Sequence, residues 1–426
     1  MLNMKDLLIK KVKLLNGAGK TSAPSEPVDL LIRHGKIEAV GSNLTADASV
    51  EVWTPGGNAV VSPGWFDVGV QVCDPGYEHR EDLASAAAAA AAGGYTAIAC
   101  FPNTHPAIHS KSEVQYILRN SAHLPVSIFP IGAVSGNAEG KDLAELYDMH
   151  AAGALAFSDG SKSVQDAGLL LRALQYTQAF DGLVMNQPHH KSIAGGGQLH
   201  ESLMSTSLGM KGLPALAETL MVQRDLSLLR YAGGRLHLHL LSTAEGVDMV
   251  RKAKKAGLAV TASVAVANLA FTDEVMATFD SNWKVQPPLR SRADADALLE
   301  GLRDGTIDFV CSNHVPWDSE NKNLEFPYAE FGMSNLETAF AMYRTFVPQN
   351  KTSIADWVRW TAVAPRQTLG LPVPSIEVGA PAEITVFDPE AEWTPTVKVW
   401  KSKSVNNPLI GQVLKGKVMK TMVSHP

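Results

Sequence analysis

Short apolar segments alternate with amphipathic segments between residues 63 and 371. The apolar segments are rich in β-branched and aromatic residues and have the length expected of buried strands. Eight of them predict strands, at 64–71, 95–101, 127–131, 154–157, 183–187, 235–240, 259–265 and 307–312. The segments between them repeat apolar residues at helical spacing and predict helices, the clearest at 112–121, 164–179 and 213–231.

This alternation of strand and helix predicts a (β/α)8 TIM barrel over residues 63–371. A doubly wound open sheet is the alternative, but no glycine-rich phosphate-binding turn follows the first strand. The two ends differ, because residues 1–62 and 372–426 contain strand-like runs with little helical period. We expect them to pair into one small β-sandwich domain, since chain termini often lie close together.

Composition narrows the class of protein. Apolar residues make up 45% of the 426 residues and charged residues 19%, which excludes a disordered chain. No apolar run is long enough to span a membrane, and the N-terminus lacks a signal-peptide pattern. Three scattered cysteines predict no disulfide framework, and we expect a cytoplasmic protein. A net charge of −6 without a basic run predicts no nucleic-acid partner.

Eight motifs suggest a family. In chain order they are SPGWFDVGVQVCDPGYEHRED, GGYTAIACFPNT, AFSDG, GGRLHLHLLSTAEGV, TASVAVANLAFTDE, KVQPPLRS, GLRDGTIDFVCSNHVPW and EFGMSNLETA. They resemble, in the same order, motifs of the dihydroorotase family, a pyrimidine-pathway branch of the amidohydrolase superfamily. The resemblance extends over nearly the whole chain and implies a barrel of the amidohydrolase type.

The resemblance also implies where the family's six metal ligands fall. The family's first strand ends D-x-H-x-H, and here the histidine positions hold Gly69 and Gln71. The other replaced ligands fall on strands five, six and eight, at Gln187, Leu240 and Asn313. Asp159 matches the family's bridging carboxylate. Five of the six implied ligand positions are therefore changed.

These changes remove the chemistry that the family needs. Zinc binds imidazole, thiolate or carboxylate groups, whereas glycine and leucine offer no ligand and a neutral amide is a poor one. Asn313 occupies the position of the catalytic aspartate, and its amide has no basic pKa with which to accept a proton from metal-bound water. We therefore expect no catalytic residue, no zinc and no other cofactor.

The implied substrate contacts are altered as well. Cys73 stands where the family has an arginine against the dihydroorotate carboxylate, and a thiol supplies no bidentate cation. We expect Cys73 to be a small barrel-end residue, because no partners for a nucleophile are evident. Asn103 matches a family asparagine, whereas Gln286 replaces another. Together with the changed ligands, Asp159 and His314, these residues define a vestigial pocket of ten residues.

Several remaining groups have both a structural and a functional interpretation. Strand alternation predicts that His237 and His239 point away from the side on which Leu240 faces the barrel, which favours structural roles. His189 and His190 follow strand five in a loop, and rescue of a metal site by either, or by His314, stays open. Lys162 lies beyond a strand end and is expected to be a solvated lysine.

Two functional hypotheses follow. The first is a catalytically inactive family member that acts as a structural or regulatory partner of aspartate carbamoyltransferase, with which inactive dihydroorotase-like chains are known to associate. We expect it to be a homodimer, the commonest oligomer. The second is a divergent amidohydrolase that hydrolyses a cyclic amide of the dihydroorotate or hydantoin type.

Overall fold

The structure is a computed structural model that describes residues 6–16 and 26–424. Residues 1–5, 17–25 and 425–426 of the predicted terminal domain lie outside the described residues. The strands are β1 (Leu7–Leu14), β2 (Val28–Arg33), β3 (Lys36–Gly41), β4 (Glu51–Trp53), β5 (Val60–Pro63), β6 (Trp65–Val70), β7 (Tyr95–Cys100), β8 (Ser127–Pro130), β9 (Leu183–Asn186), β10 (Leu199–His200), β11 (Gly212–Leu213), β12 (Arg235–Leu238), β13 (Val260–Ala265), β14 (Phe309–Cys311), β15 (Ile384–Trp393) and β16 (Leu414–Met422).

The helices follow most barrel strands. They are α1 (Leu83–Ala92), α2 (Lys111–Ser121), α3 (Leu146–Ala152), α4 (Ala167–Thr177), α5 (Lys191–Ala194), α6 (Leu203–Ser207), α7 (Leu216–Ala232), α8 (Ala244–Lys255), α9 (Val266–Ala270), α10 (Arg292–Arg303), α11 (Ser319–Lys322), α12 (Ala339–Phe346), α13 (Ile354–Val358) and α14 (Ala364–Thr368), with a π-helical turn at Arg359–Val363. Short 3-10 turns lie at Gly136–Ala138, Gln178–Phe180, Asp273–Thr278 and Ser281–Trp283. In the described part of the chain, none of the helices is both long and apolar enough to cross a membrane.

Both ends of the chain contribute to one seven-stranded sheet. Its strand order is β16-β15-β5-β1-β2-β3, and β4 pairs with β1. The C-terminal strand β15 runs antiparallel to β5, with Val386 opposite Val61. Side chains from both ends share one apolar cluster, which includes Ile9, Leu30 and Ile384. The predicted β-rich domain built from both ends is therefore confirmed.

The barrel closes through two parallel groups of strands, β6-β7-β8 and β9-β12-β13-β14. Phe157 bridges Gly132 and Val184 between the groups, in the place of the predicted fourth strand. These two isolated bridges replace a full strand, although backbone N–H groups on both sides are bonded as in a ladder. On the other side, the Ser312 amide donates to the Asp67 carboxylate across β14 and β6. The predicted barrel is confirmed, and the closed ring excludes the open sheet.

Packing around the barrel follows from side-chain size. The alanine-rich helix α1 buries Ala86, Ala87 and Ala90 completely, which lets its backbone approach the barrel closely. Asp82 caps its start, accepting a bond from the Ser85 amide. The barrel interior is filled by a separate apolar cluster of Phe66, Ala97, Ala99, Phe101, Met185, Leu240, Phe309 and Cys311.

Candidate functional site

A cavity of about 490 Å³ opens at the carboxyl ends of the barrel strands. Strand-end residues line it because the carboxyl ends of parallel strands meet on one face of a barrel. Six of the ten residues predicted for the pocket lie in its wall: Gly69, Gln71, Asn103, Gln187, Gln286 and Asn313. The side chains at these positions are uncharged.

The other four predicted pocket residues, Cys73, Asp159, Leu240 and His314, lie outside the cavity wall. Each is at most 2% exposed. Leu240 belongs to the apolar cluster inside the barrel. Burial raises the pKa of the Cys73 thiol to about 12, so the thiol stays protonated and is a poor nucleophile. The structure therefore does not bring these four side chains together with the six.

Asp159 shows why a retained carboxylate is not a retained ligand. The Ser135 amide donates to its Oδ1 at 2.9 Å, and the Ser135 hydroxyl donates to its Oδ2 at 2.6 Å. Burial raises the pKa of Asp159, and the bonds from Ser135 act against that rise. Both carboxylate oxygens are thus engaged with one serine, which is a structural arrangement.

The space beside Gly69 is filled by an imidazole from another strand. A Cβ on Gly69 would lie 2.6 Å from Nε2 of His239 and 3.0 Å from the Phe101 ring. Gly69 also has a φ of +89°, a conformation that side-chain-bearing residues rarely adopt. His239 packs edge-on against Phe101, with ring centroids 4.9 Å apart. A histidine at position 69 would therefore collide with His239.

The prediction that His239 points away from the barrel interior is wrong. Leu240 has a φ of +58°, which breaks the strand alternation on which the prediction depended. His239 and Leu240 therefore both contact the barrel interior. His237 is buried too, stacked on Phe309 with an interplanar angle of 6°. Both histidines have structural surroundings, as expected, but inside the barrel.

Ser263 joins these two histidines. Its hydroxyl lies 3.0 Å from Nε2 of His237 and 3.1 Å from Nδ1 of His239. Burial lowers the pKa of His239 to about 3 and the pKa of His237 well below its usual value. Both rings are therefore neutral at pH 7. Nε2 of His239 has no hydrogen-bond partner among residues 6–16 and 26–424.

Ionisable groups lie directly behind the cavity wall. Asp67 is fully buried, accepts the Ser312 amide at 2.9 Å and also bonds the Ser312 hydroxyl. Burial raises the pKa of Asp67 to about 6. His314 accepts the Asn335 amide at Nδ1, which leaves its proton on Nε2, 3.3 Å from Glu81. His314 therefore connects the strand end to the loop that precedes α1 and does not face the cavity.

Of the two loop histidines, one lines the cavity and the other lies outside it. His189 lines the cavity and accepts a bond from Nε2 of Gln286 at 2.9 Å. Burial, and secondarily the charge of Arg290, lowers the pKa of His189. His190 lies outside this cavity, 3.1 Å from the Ser192 hydroxyl. Lys162 is exposed and lies at the rim, consistent with its expected solvated role.

Sequence reasoning missed the cationic and aromatic part of the cavity. Arg80 and Tyr77 come from the loop after β6, and Trp317 from the segment after β14. The Arg80 guanidinium carbon lies 3.4 Å from the centroid of the Trp317 ring. All three residues fall within the motifs that suggested the family, but their shared position depends on two loops that are distant in sequence.

Two buried lysines hold the wall that carries Phe331 and Gly332. Lys284 donates to three backbone carbonyls, at 326, 327 and 329. Lys322 donates to those at 281, 330 and 332. Burial lowers the pKa of Lys284 to about 8 and that of Lys322 to about 7. This wall is thus held by two lysine side chains rather than by a helix or strand.

The residues of this site do not fit the zinc centre that the family implies. Position 69 has no room for an imidazole, Leu240 supplies no donor atom, and Asp159 is occupied by Ser135. In the described part of the chain, no three His, Cys, Asp or Glu side chains converge to hold a metal ion. The residues at the strand ends therefore support no reaction step through a metal.

Comparison with known proteins gives the family. The family model described as Dihydro-orotase-like matches residues 58–246, and the Amidohydrolase family model matches residues 194–424. The dihydroorotase of Syntrophus aciditrophicus is 39% identical over 97% of this chain and 98% of its own length. This chain belongs to the dihydroorotase family. The dihydroorotase of Pelotomaculum thermopropionicum is 40% identical over 93% of both chains.

Solved structures similar to this dihydroorotase-family chain support the fold. The L-hydantoinase (dihydropyrimidinase) of Arthrobacter aurescens superposes with a TM-score of 0.85 and covers 99% of this chain and 96% of its own, at 24% identity. The dihydropyrimidinase of Brevibacillus agri gives a TM-score of 0.82 at 20% identity and covers 99% of this chain and 94% of its own. At these identities, the likeness concerns the barrel and the terminal domain only.

Proposed function

We propose that this chain is a dihydroorotase-family protein of pyrimidine biosynthesis that has lost metal-dependent hydrolysis and acts as a structural or regulatory partner of aspartate carbamoyltransferase. The observation that carries the proposal is the contact between Gly69 and His239. The side chain of His239, the residue directly after strand β12, occupies the space of a first-strand ligand. A neutral imidazole therefore fills the position of a metal ligand, and Gly69→His alone does not restore the ligand set.

The family's base position supports the same proposal. Asn313 donates through Nδ2 to the backbone carbonyl of Gln286 at 3.1 Å, which fixes its amide. An amide accepts no proton at neutral pH, so general-base catalysis, typically worth about 10²–10⁴-fold in rate, is missing at this position. The proposal therefore includes no catalytic residue and no bound zinc.

Metal content and hydrolysis test the loss of activity. Protein purified without chelator is measured for zinc by mass spectrometry and assayed for ring opening of dihydroorotate. We expect substoichiometric zinc and turnover equal to that of heat-killed protein. Stoichiometric zinc that resists chelation, or turnover that Asn313→Ala abolishes, contradicts the proposal.

The partner is tested separately. The proposal includes a cytoplasmic homodimer, and the three buried free cysteines are compatible with a reducing compartment. In analytical ultracentrifugation with aspartate carbamoyltransferase from the same source, we expect a complex at micromolar concentrations. Unchanged sedimentation of both proteins removes the partner role.

A second candidate is a divergent hydrolase of a cyclic amide. His189 favours it, because this neutral imidazole lines the cavity beside the amides of Gln187 and Gln286. Its Nδ1 accepts from Gln286, which leaves the Nε2 proton for a ligand. Hydantoin hydrolysis that is lost in His189→Gln and kept in the neighbouring His190→Gln would place this candidate first.

A further inference from the structure

Arg80 is a nearly buried cation in the cavity wall. It is 8% exposed, although it lines the cavity. Its Nε and Nη2 donate to the Pro316 carbonyl at 3.0 and 2.8 Å, and Nη2 also lies 3.4 Å from Oε1 of Gln71. The Trp317 ring covers one face of the guanidinium. Contacts from the segment after β6 and from the segment after β14 thus hold the side chain in one orientation.

Arg80 forms no ion pair with an acidic side chain among the described residues. In the described part of the chain, its partners are a carbonyl oxygen, an amide oxygen and two aromatic rings, and no carboxylate is among them. These hydrogen bonds use Nε and Nη2, and none of them uses Nη1. A guanidinium withdrawn from water is stable only when its charge and its donors are matched. Arg80 therefore presents unused donors beside a cavity large enough for a small molecule.

Cations outnumber acidic residues in the cavity wall. Lys162 and Lys191 line the cavity together with Arg80, whereas Glu330 is the acidic residue in its wall. The chain as a whole carries a net charge of −6. A concave, positively charged site in a negatively charged protein concentrates anions locally.

We infer that Arg80 makes this cavity a metal-independent binding site for a small oxyanion-bearing molecule. The inference rests on the proposed loss of hydrolysis and specifies what the remaining site binds. The N–H donors of Nη1, which no hydrogen bond to the described residues uses, can bind a carboxylate or phosphate oxygen in a charge-assisted hydrogen bond. Polar groups of the ligand other than the anion meet the side-chain amides of Gln187 and Asn313. The anion-binding residue is thus Arg80 and not position 73, where Cys73 is buried outside the cavity.

Calorimetric titration with matched probes tests this site. The probes are orotate, which carries a carboxylate on a cyclic imide, uracil, which is the same ring without the carboxylate, and inorganic phosphate. We expect orotate to bind at least about tenfold more tightly than uracil, and phosphate binding tighter than orotate would identify a phosphate ligand. Arg80→Gln should weaken binding of the preferred anion at least about tenfold. Arg80→Lys should restore it only in part, because lysine lacks the planar guanidinium that the Trp317 ring and the Pro316 carbonyl hold in place.

Controls separate binding from folding. Arg303→Gln removes an exposed arginine that pairs with Glu300 and should leave the affinity unchanged. Urea unfolding checks that Arg80→Gln is folded, and if it is not, Lys191→Gln replaces it, with an expected two- to fivefold loss of affinity from one rim charge. Equal affinities for orotate and uracil, an anion affinity independent of both residues, or no anion binding up to about 10 mM would overturn the inference.

The failure of this inference is distinguishable from the failure of the proposed function. Before the titrations the protein is stripped of metal with EDTA, and the EDTA is then removed by dialysis into metal-free buffer because it is itself a polycarboxylate. A zinc-dependent site therefore contributes nothing to the titrations. Zinc-dependent ring opening would overturn the proposed function even if the Arg80-dependent binding were found. Absence of anion binding would overturn the inference and leave the measurements of zinc and turnover unaffected.

Discussion

Two layers of side chains surround the strand ends of the barrel, and they differ in how they carry charge. The inner layer faces the cavity at the changed positions and consists of glycine and neutral amides, such as Gln71 and Asn313. The outer layer lies behind it and holds carboxylates that are at most 2% exposed. Four of them are bonded to serine or threonine hydroxyls: Asp67, Glu81, Asp159 and Glu218.

The difference separates groups that stabilise the fold from groups that line the cavity. A buried carboxylate without partners is costly, and each hydroxyl of the outer layer removes part of that cost. The inner layer has no such constraint, because its side chains face a solvent-filled space. Residues of the inner layer are therefore replaceable without unfolding the barrel, whereas those of the outer layer are not.

The largest effect is expected in the outer layer. Asp67→Ala leaves the Ser312 amide and hydroxyl without their acceptor between β6 and β14. It should therefore lower the free energy of unfolding by about 3 kcal/mol or more. Gln187→Ala, in the inner layer, should change it by no more than about 1 kcal/mol. Urea unfolding measures both, and equal losses would contradict the division into two layers.

The next largest change in the free energy of unfolding is expected when a histidine is returned to the inner layer. Gly69→His places a Cβ against His239 at a positive φ and should cost about 2–4 kcal/mol. Gln71→His, which faces the cavity, should cost less than about 1 kcal/mol. In a double-mutant cycle with His239→Ala, the two costs should fall short of additivity by at least about 1 kcal/mol. Strict additivity would show that His239 does not block position 69.

The neutral histidines inside the barrel predict a dependence of stability on pH. The pKa of His239 is about 3 in the folded chain and about 6.5 in the unfolded chain, so the unfolded state binds the extra proton between these values. The stability is fully present above pH 6.5 and falls as the pH drops toward 3, by about 1.4 kcal/mol per pH unit for one such group. His239→Gln should reduce this slope.

A comparison with Asp67 checks that slope. Asp67 acts in the opposite direction, because its raised pKa of about 6 makes the folded state bind the extra proton between pH 3.8 and 6. Asp67→Asn should therefore steepen the acid loss. An unaltered slope in His239→Gln would disprove the assignment to this ring.

The smallest effect is expected from restoring the base position alone. Asp tolerates the left-handed backbone of residue 313, where φ is +55°, about as well as asparagine. Asn313→Asp should change the free energy of unfolding by less than about 1 kcal/mol. It should also leave the zinc content and dihydroorotate turnover at background, because the other ligand positions remain changed. A rise in either would show that the inner layer retains more of a metal site than its residues suggest.

The regular part of the fold was predictable from the sequence. Seven of the eight predicted barrel strands form within two residues of their expected limits, because apolar runs of that length have to be buried. The predicted strand at 154–157 is reduced to two isolated bridges at Phe157, since backbone pairing on both sides is limited to a few residues. Periodicity does not report how long neighbouring strands stay in register.

The site was predictable only in part, and the failures occur where strands end. Alternation placed His239 away from the cavity side, and a left-handed residue at 240 reversed this. Arg80 was missed because its burial depends on Trp317, which lies in the segment after β14 and is distant in sequence. Contacts between distant loops have no local pattern that a single sequence displays.

Strand β5 pairs with β1 on one side and with β15 on the other, and this pairing has a consequence during protein synthesis. Strand β5 ends at Pro63, but its antiparallel neighbour begins at Ile384, about 320 residues later. At about 5–20 residues per second, the N-terminal strands wait roughly 15–60 s on the ribosome with an open hydrogen-bonding edge. Unpaired edges attract other strands. Nascent chains of this protein should therefore depend on chaperones bound to the first 60 or so residues until the C-terminus emerges.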